Sequence, residues 1–191
     1  GASRPRPSRT TVPFGEPIFA AAGAYVVALD NSPKQLEQDR FVANRDDLQI
    51  ETEQGDMRDL SRFADEFFDL VFHPFSNCFV DDVNMVWKEC YRVLKKGGVL
   101  MSGFGNPILY IFDLKAWDDN RDHVVRYRIP YADIDQLPPA ELDEKIRSQE
   151  ALEFGHSLED QIGGQISAGF VISGFYEDNS GGDLLDGFVN T

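Results

Sequence analysis

The chain has 191 residues, 42% of them hydrophobic and 12% aromatic, so it can form a sizeable core and is not a disordered polypeptide. Its 33 acidic and 18 basic side chains give a formal charge of −15, which disfavours nucleic acid as a partner because like charges repel. The apolar runs are too short to cross a bilayer, and no signal-peptide pattern opens the sequence. The composition therefore predicts a cytoplasmic protein without a membrane or nucleic-acid partner.

The two cysteines, Cys78 and Cys90, belong to separate predicted elements and lack the spacing of metal ligands. Such isolated thiols are typical of the reduced core cysteines of cytosolic proteins. We therefore expect neither a disulfide nor a metal site.

The first half of the chain alternates between strand and helix patterns. Residues 1–13, rich in Pro, Arg and Ser, predict a loose arm. A helix over about 17–22 precedes the strand "YVVAL", and a second helix begins after Ser32, the predicted N-cap. Three more strands are predicted in "LQIETEQGDM", "FFDLVFHPF" and "GVLMSGF", and a helix with apolar residues at three- and four-residue intervals, ending in "KKGG", precedes the last of them.

The second half departs from this rhythm. We predict an exposed strand in "HVVRYRIPY", a turn and polar helix in "DQLPPAELDEKIRSQE", a helix in "SLEDQIGGQISAG" and a last strand in "FVISGFYED". Strands that alternate with helices predict an α/β fold with a doubly wound, mostly parallel sheet.

Polar groups follow three of the predicted strands, where ligands bind in an open parallel sheet. The carboxylate of Asp30 could accept hydrogen bonds from a ribose diol, or it could cap the next helix, although Ser32 suits that place better. Asp56 could accept a bond from an exocyclic amino group while Met57 packs on a flat base. A turn-stabilising role is the alternative for Asp56.

Four segments in register resemble the class I S-adenosylmethionine-dependent methyltransferases, most closely bacterial proteins that act on small molecules: "AYVVALDNSPKQLEQDR", "TEQGDMRDL", "FDLVFHP" and "YRVLKKGGVLMSGF". The resemblance implies a Rossmann-like fold with a sheet of the seven-stranded type and S-adenosyl-L-methionine as cofactor. It divides the chain into the arm (1–13), a cofactor-binding core (14–105), a substrate-cap insertion (106–150) and a C-terminal part (151–191) that completes the sheet.

The resemblance also implies roles for residues at matching positions. Asp30 would hold the ribose hydroxyls with Asn31 beside the adenosine, and Asp56 would bind the adenine amino group with Met57 against the ring. His73 and Pro74 would lie near the methionine part and the transferred methyl group, with His73 the best-placed catalytic base. A core histidine is the alternative reading of His73, and His156 and Tyr131 are other candidate bases.

The sequence departs from the family at its first motif, a strand followed by a glycine-rich loop. Only "TTVPFGE", with the single Gly15, stands there, so we expect the central strand to be missing and its neighbours to flank a gap. Either a segment is missing between about Thr10 and Glu16, which we favour, or the protein is a truncated relative that binds no cofactor. "DGFVNT" similarly resembles the start of a final antiparallel strand.

Aromatic residues of the 106–150 insertion could line an apolar substrate pocket or form a satellite core: Tyr110, Phe112, Trp117, Tyr127 and Tyr131. Two other functions remain open at this point. An NAD(P)-dependent oxidoreductase would also place an acidic residue after a strand, but the sequence lacks G-x-G-x-x-G. A non-catalytic binding protein on a methyltransferase scaffold is the third reading.

Overall fold

The computed structural model describes residues 9–12 and 16–177. Its strands and helices follow in chain order, with short strands and helices concentrated after residue 105. The strands are β1 (Arg9–Val12), β2 (Tyr25–Asp30), β3 (Ile50–Gln54), β4 (Phe68–His73), β5 (Leu94–Ser102), β6 (Tyr131–Ala132) and β7 (Phe154–Gly155). The helices are α1 (Glu16–Ala21), α2 (Pro33–Arg45), α3 (Val83–Val93), α4 (Leu114–Asn120), α5 (Asp133–Gln136), α6 (Pro139–Arg147) and α7 (Gly164–Ala168), with 3₁₀ turns at Asn77–Phe79 and Pro107–Ile111 and a π turn at Glu159–Gly163.

The main sheet has five parallel strands in the order β3-β2-β1-β4-β5. The expectation of a missing central strand is therefore wrong. β1 lies between β2 and β4, with Thr11 opposite Val27 on one side and Val71 on the other. Although β1 has only four residues, it pairs with a strand on each side, so no gap with unpaired backbone groups divides the sheet. Because β1 begins at Arg9, residues 9–12 form a strand and not part of the predicted loose arm. Residues 1–8 and Gly15 lie outside the described residues.

Helices pack on both faces of this sheet. The Phe19 ring of α1 lies 5.3 Å from that of Phe72 in β4. The next β4 residue, His73, faces the opposite side, where its ring lies 5.8 Å from that of Trp87 in α3. Because neighbouring strand residues face opposite sides, the apolar β2 is buried on both, as the sequence predicts for a doubly wound sheet. The main core lies between the sheet and α3, and includes Val27, Leu29, Phe68, Val71, Val83, Val86, Trp87, Cys90 and Val93.

Helix starts agree better with the sequence than helix ends. The Ser32 hydroxyl caps α2 by accepting the Gln35 N–H at 3.3 Å, as predicted. The "KKGG" segment does not end α3, however. α3 ends at Val93, and Leu94 already pairs with Phe68 as the first residue of β5. The glycine that suggested a helix end, Gly97, instead provides a positive φ of 78° within the strand.

The second half contains the predicted helices but fewer strand residues than predicted. α6 lies within the predicted polar helix region, which α5 enters only with its last two residues, and the π turn and α7 lie within "SLEDQIGGQISAG". "HVVRYRIPY" forms only an isolated bridge between Val125 and Phe112 and the start of β6, which pairs antiparallel with β7. Residues 170–177 form no strand, contrary to the prediction, and "DGFVNT" lies outside the described residues.

Both cysteines are buried free thiols, as predicted. Within the ranges that the structure describes, no helix has the length and apolar character that a membrane span requires.

Candidate functional site

The carboxyl ends of β2 and β3 lie side by side and bring two of the candidate acidic residues to the same edge of the sheet. Asp30 pairs with Gln54, the last residue of β3. One residue later, the Gly55 N–H donates to the Asp30 carbonyl oxygen at 3.1 Å. This main-chain bond fixes Asp56 beside the end of β2, so the two acidic residues are neighbours at one edge of the sheet.

Asp30 is partly buried, and its Oδ1 accepts the Ser32 N–H at 2.7 Å. Since Ser32 itself caps α2, the Asp30 carboxylate stabilises the turn that leads into the helix without being its N-cap. Its Oδ2 makes no hydrogen bond to residues of the described ranges. Asn31 is exposed, and its carbonyl oxygen accepts the Gln54 Nε2–H at 3.3 Å. Hydrogen bonds therefore join the ends of β2 and β3, and within the described ranges Asp30 Oδ2 can still accept a hydrogen bond from a ligand.

Asp56 is held by Arg58, a residue that the sequence did not single out. The Arg58 main-chain N–H donates to Asp56 Oδ1 at 2.8 Å, which is the turn-stabilising bond considered above. The Arg58 Nη2–H donates to Oδ2 at 2.6 Å, and its Nε–H lies 3.0 and 3.1 Å from the two oxygens. These bonds to Arg58 hold the pKa of the Asp56 carboxyl below its usual range.

Met57 and His73 meet at a small cavity on the α3 side of the sheet. The cavity has a volume of about 30 Å³ and is lined by Leu29, Met57, Leu60, Val71, Phe72, His73, Val86 and Cys90. Such a volume holds about one water molecule, so it cannot hold a purine ring. Met57 is half-buried and its side chain packs against the main core. Asp30 and Asp56 do not line this cavity.

His73 is only 4% exposed, and its Nε2 has no hydrogen-bond partner in the described structure. Burial lowers the pKa of the imidazole to about 4, because charging a group in an apolar surrounding is unfavourable. The ring is therefore neutral at physiological pH. Pro74 follows it in a segment that runs beside β5, where Gly103 N–H donates to the His73 carbonyl at 2.9 Å and Phe75 N–H to the Gly103 carbonyl at 3.0 Å.

A group of buried polar side chains lies next to the end of β4, and His156 is the one member that the sequence suggested as a candidate. Asn77 Nδ2–H donates to Gln161 Oε1 at 2.8 Å, and the His156 Nε2 lies 3.1 Å from the Asn77 carbonyl oxygen. Gln165 Nε2–H donates to the Gln161 carbonyl at 2.7 Å. The available signal was the pair of glutamines at a four-residue interval in "DQIGGQ", which places both on one helix face.

The tyrosines of the 106–150 segment pack against one another. The Tyr131 ring stacks on Tyr110 at 5.4 Å and meets the edge of Tyr127 at 5.3 Å. The Tyr131 hydroxyl donates to Asp133 Oδ1 at 2.8 Å, and Lys145 Nζ pairs with Asp133 Oδ2 at 2.7 Å. Burial, followed by this bond, raises the pKa of Tyr131 above its usual range, so the phenol keeps its proton.

The part of the chain that the structure describes brings no three His, Cys, Asp or Glu side chains together as a metal site. The candidate chemistry therefore lies in the carboxylates at the edge of the sheet and in the buried polar groups beyond β4.

Comparison with known proteins is consistent with this arrangement. Residues 14–102 match the family model described as "Methyltransferase domain". The chain is 54% identical over 175 residues to an uncharacterized methyltransferase of Bacillus subtilis, YbaJ, and the match covers 92% of this chain and 68% of that protein.

Several solved structures are similar along most of the chain. An S-adenosylmethionine-dependent methyltransferase from Mesorhizobium loti has a TM-score of 0.66 and 20% identity, covering 87% of this chain and 75% of that one. A putative methyltransferase from Bacillus halodurans has a TM-score of 0.58 and 20% identity, covering 88% of this chain and 64% of that one. At this identity the two structures establish the fold, and the Bacillus subtilis relative establishes the family. The chain therefore belongs to the methyltransferase domain family.

Proposed function

We propose that this methyltransferase transfers the methyl group of S-adenosyl-L-methionine to a small molecule, and that Asp30, Asn31, Asp56 and Met57 bind the adenosine part of the cofactor. The observation that carries the proposal is the main-chain bond between Gly55 and Asp30, which brings Asp30 and the segment containing Asp56 to the same edge of the sheet, at the ends of neighbouring strands.

The residues at this edge fit the cofactor by their chemistry. A ribose diol offers two O–H donors, and Asp30 Oδ2 makes no hydrogen bond within the described ranges. The adenine amino group offers an N–H donor to Asp56, a carboxylate that Arg58 keeps ionised. Beside it, Met57 supplies a flexible and polarizable apolar surface for the base. The single Gly15, which stands where the family has a glycine-rich loop, lies outside the described residues.

The protein's contribution to the reaction would be positional. S-adenosylmethionine supplies, when bound, an electrophilic methyl group on a sulfonium centre. The chain would hold the acceptor in line with that group, and alignment of two reactants alone accounts for much of an enzymatic acceleration. We place His73 and Pro74 at the end of β4 on the methyl-transfer side. As a neutral imidazole, His73 is in the protonation state of a base, but its pKa of about 4 makes it a weak one.

The division of the chain into a cofactor-binding core (14–105), a substrate cap (106–150) and a C-terminal part (151–191) is retained as part of the proposal. It is supported by the break in the pattern after β5 and by the tyrosine cluster within the cap. We also propose that the sheet extends beyond β5 toward the seven-stranded type. β5 is an edge strand among the described strands.

Cofactor binding can be measured by thermal unfolding and calorimetry with S-adenosylhomocysteine, and NAD serves as the comparison ligand. A ligand at a hundred times its dissociation constant should stabilise the folded state by about 2.7 kcal/mol. We expect this shift with S-adenosylhomocysteine and none with NAD. Stabilisation by NAD alone would favour the oxidoreductase reading and overturn the proposal.

Catalysis needs a separate assay, since a non-catalytic scaffold could still bind the cofactor. We expect release of S-adenosylhomocysteine from S-adenosylmethionine when pooled small-molecule acceptors are added. Tight binding without turnover against broad acceptor pools would favour the non-catalytic reading instead.

A further inference from the structure

The side chain of Arg58 connects two segments at the carboxyl edge of the sheet. On one side it binds Asp56 at the end of β3 through Nε and Nη2. On the other side its Nη1 binds Asp81, the residue before Asp82, which caps α3. The guanidinium is therefore held by Asp56 and Asp81 at the same time, and these two contacts restrict its orientation relative to the Asp56 carboxylate.

These bonds occupy most of the acceptor capacity of Asp56. A carboxylate has about four lone-pair directions. Three N–H groups of Arg58 point at Asp56, namely the main-chain N–H, the Nε–H shared between both oxygens, and one Nη2–H. About one acceptor direction remains, and it is fixed because the planar guanidinium fork fixes the plane of the carboxylate.

A purely stabilising role does not explain this arrangement well. The side chains of Arg58 and Asp56 are 34% and 38% exposed, and ion pairs so open to solvent contribute little to folding. A comparable bidentate pair, Arg45 with Asp46, lies at the far end of α2. The Arg58 pair differs from it by its place at the candidate adenine site.

We propose that Arg58 is a positioning residue that orients Asp56, so that its remaining acceptor direction selects the 6-amino group of the cofactor's adenine. The inference rests on the proposed function. A 6-oxo analogue would present a carbonyl oxygen in place of an N–H to that acceptor direction, and a site built to receive an N–H rejects such an analogue. Arg58 would therefore determine selectivity for the base more than affinity for the cofactor as a whole.

The experiment compares the affinity for S-adenosylhomocysteine with that for its 6-oxo analogue by calorimetry. We expect the native protein to prefer the amino form by about 10-fold or more. In Arg58→Ala and in Arg58→Lys, which keeps the charge but loses the fork, the preference should fall to about 3-fold or less. Arg45→Ala is the matched control and should keep the native preference.

A second readout concerns the ligand-free protein. Without the guanidinium, the pKa of the Asp56 carboxyl should rise toward its usual range in Arg58→Ala, as followed by carboxyl NMR. The outcomes are distinguishable. If Arg58→Ala or Arg58→Lys retains the native preference, the inference is wrong while the proposed function stands. If the native protein binds neither ligand, both are wrong.

Discussion

The Nε2 atom of His156 lies 3.1 Å from the main-chain carbonyl oxygen of Asn77, although 79 residues separate the two in sequence. Both residues are buried. The contact fixes the chain just after β7 against the 3₁₀ turn that follows β4, next to the proposed methyl-transfer side of the sheet. The carbonyl contact and the Asn77–Gln161 bond together join the two halves of the chain through polar groups that are shielded from water.

We expect Asn77→Ala to destabilise the fold by about 1–3 kcal/mol, because it leaves the buried Gln161 Oε1 without its donor. Urea unfolding measures the loss. An exposed asparagine on α2, Asn44, serves as the control, and Asn44→Ala should change stability by no more than about 0.5 kcal/mol. The double variant with Gln161→Ala should lose less than the sum of the single variants. Strict additivity would argue against the bond.

Two adjacent glycines should respond in opposite ways to alanine. A Cβ at Gly164 would clash with Asn84 Oδ1 and lie 2.8 Å from Trp87 Cδ1, so Gly164→Ala should cost about 1–3 kcal/mol through overpacking. A Cβ at Gly163 would meet only Glu159 Cγ, at 3.8 Å. Because alanine favours helix, Gly163→Ala should leave stability unchanged or raise it by up to about 1 kcal/mol. Thermal unfolding of both variants tests the close approach of this helix to α3.

The buried imidazole of His73 should make stability depend on pH. Its folded pKa of about 4 lies below the usual value of 6.5, so only the unfolded chain takes up a proton between these values. The stabilisation is complete above pH 6.5 and is lost as the pH falls toward 4, by about 3 kcal/mol in total. His73→Leu should show a correspondingly weaker fall between pH 7 and pH 4 in urea titrations. Parallel curves for both proteins would show that this imidazole is not the cause.

Loss of the Asp30 carboxylate should weaken binding of S-adenosylhomocysteine by about 10- to 100-fold, because a charge-assisted hydrogen bond contributes about 1.5–3 kcal/mol. Calorimetry on Asp30→Ala measures the effect, and unfolding curves check that the variant is folded. The exposed Glu37 on α2 provides a matched removal of one carboxylate. If Glu37→Ala loses as much affinity as Asp30→Ala, the effect is one of net charge.

Both thiols should be protected in the folded protein. Burial raises the pKa of Cys78 to about 11 and that of Cys90 to about 12, and only the thiolate is nucleophilic. At pH 8 we expect a thiol reagent to label the native protein at least about 100-fold more slowly than the denaturant-unfolded chain. Fast labelling of one thiol in native conditions would reveal local opening around it.

The sequence predicted best the elements whose apolar residues repeat with a clear period. β2, β4 and the start of α3 have long apolar patterns, and the structure contains all three. β1 was missed because it has four residues and no apolar run. The signal that remained was its β-branched composition in "TTV", and its place is determined by pairing with β2 and β4.

The candidate site shows the same limit. The proximity of Asp30 and Asp56 could be predicted, because the carboxyl ends of neighbouring parallel strands meet at one edge. The bond between Arg58 and Asp81 could not, since Asp81 lies 23 residues further along the chain. For His73, both a site residue and a core residue fitted the sequence, and only the packing of α3 shows how deeply the ring is buried.

The position of β1 affects the order in which the sheet can form during synthesis. The ribosome produces these four residues before every other described strand, yet they must stay unpaired on the β4 side until Leu70 and Val71 have been synthesised. A nascent chain stalled before that point would hold the future middle of its sheet open.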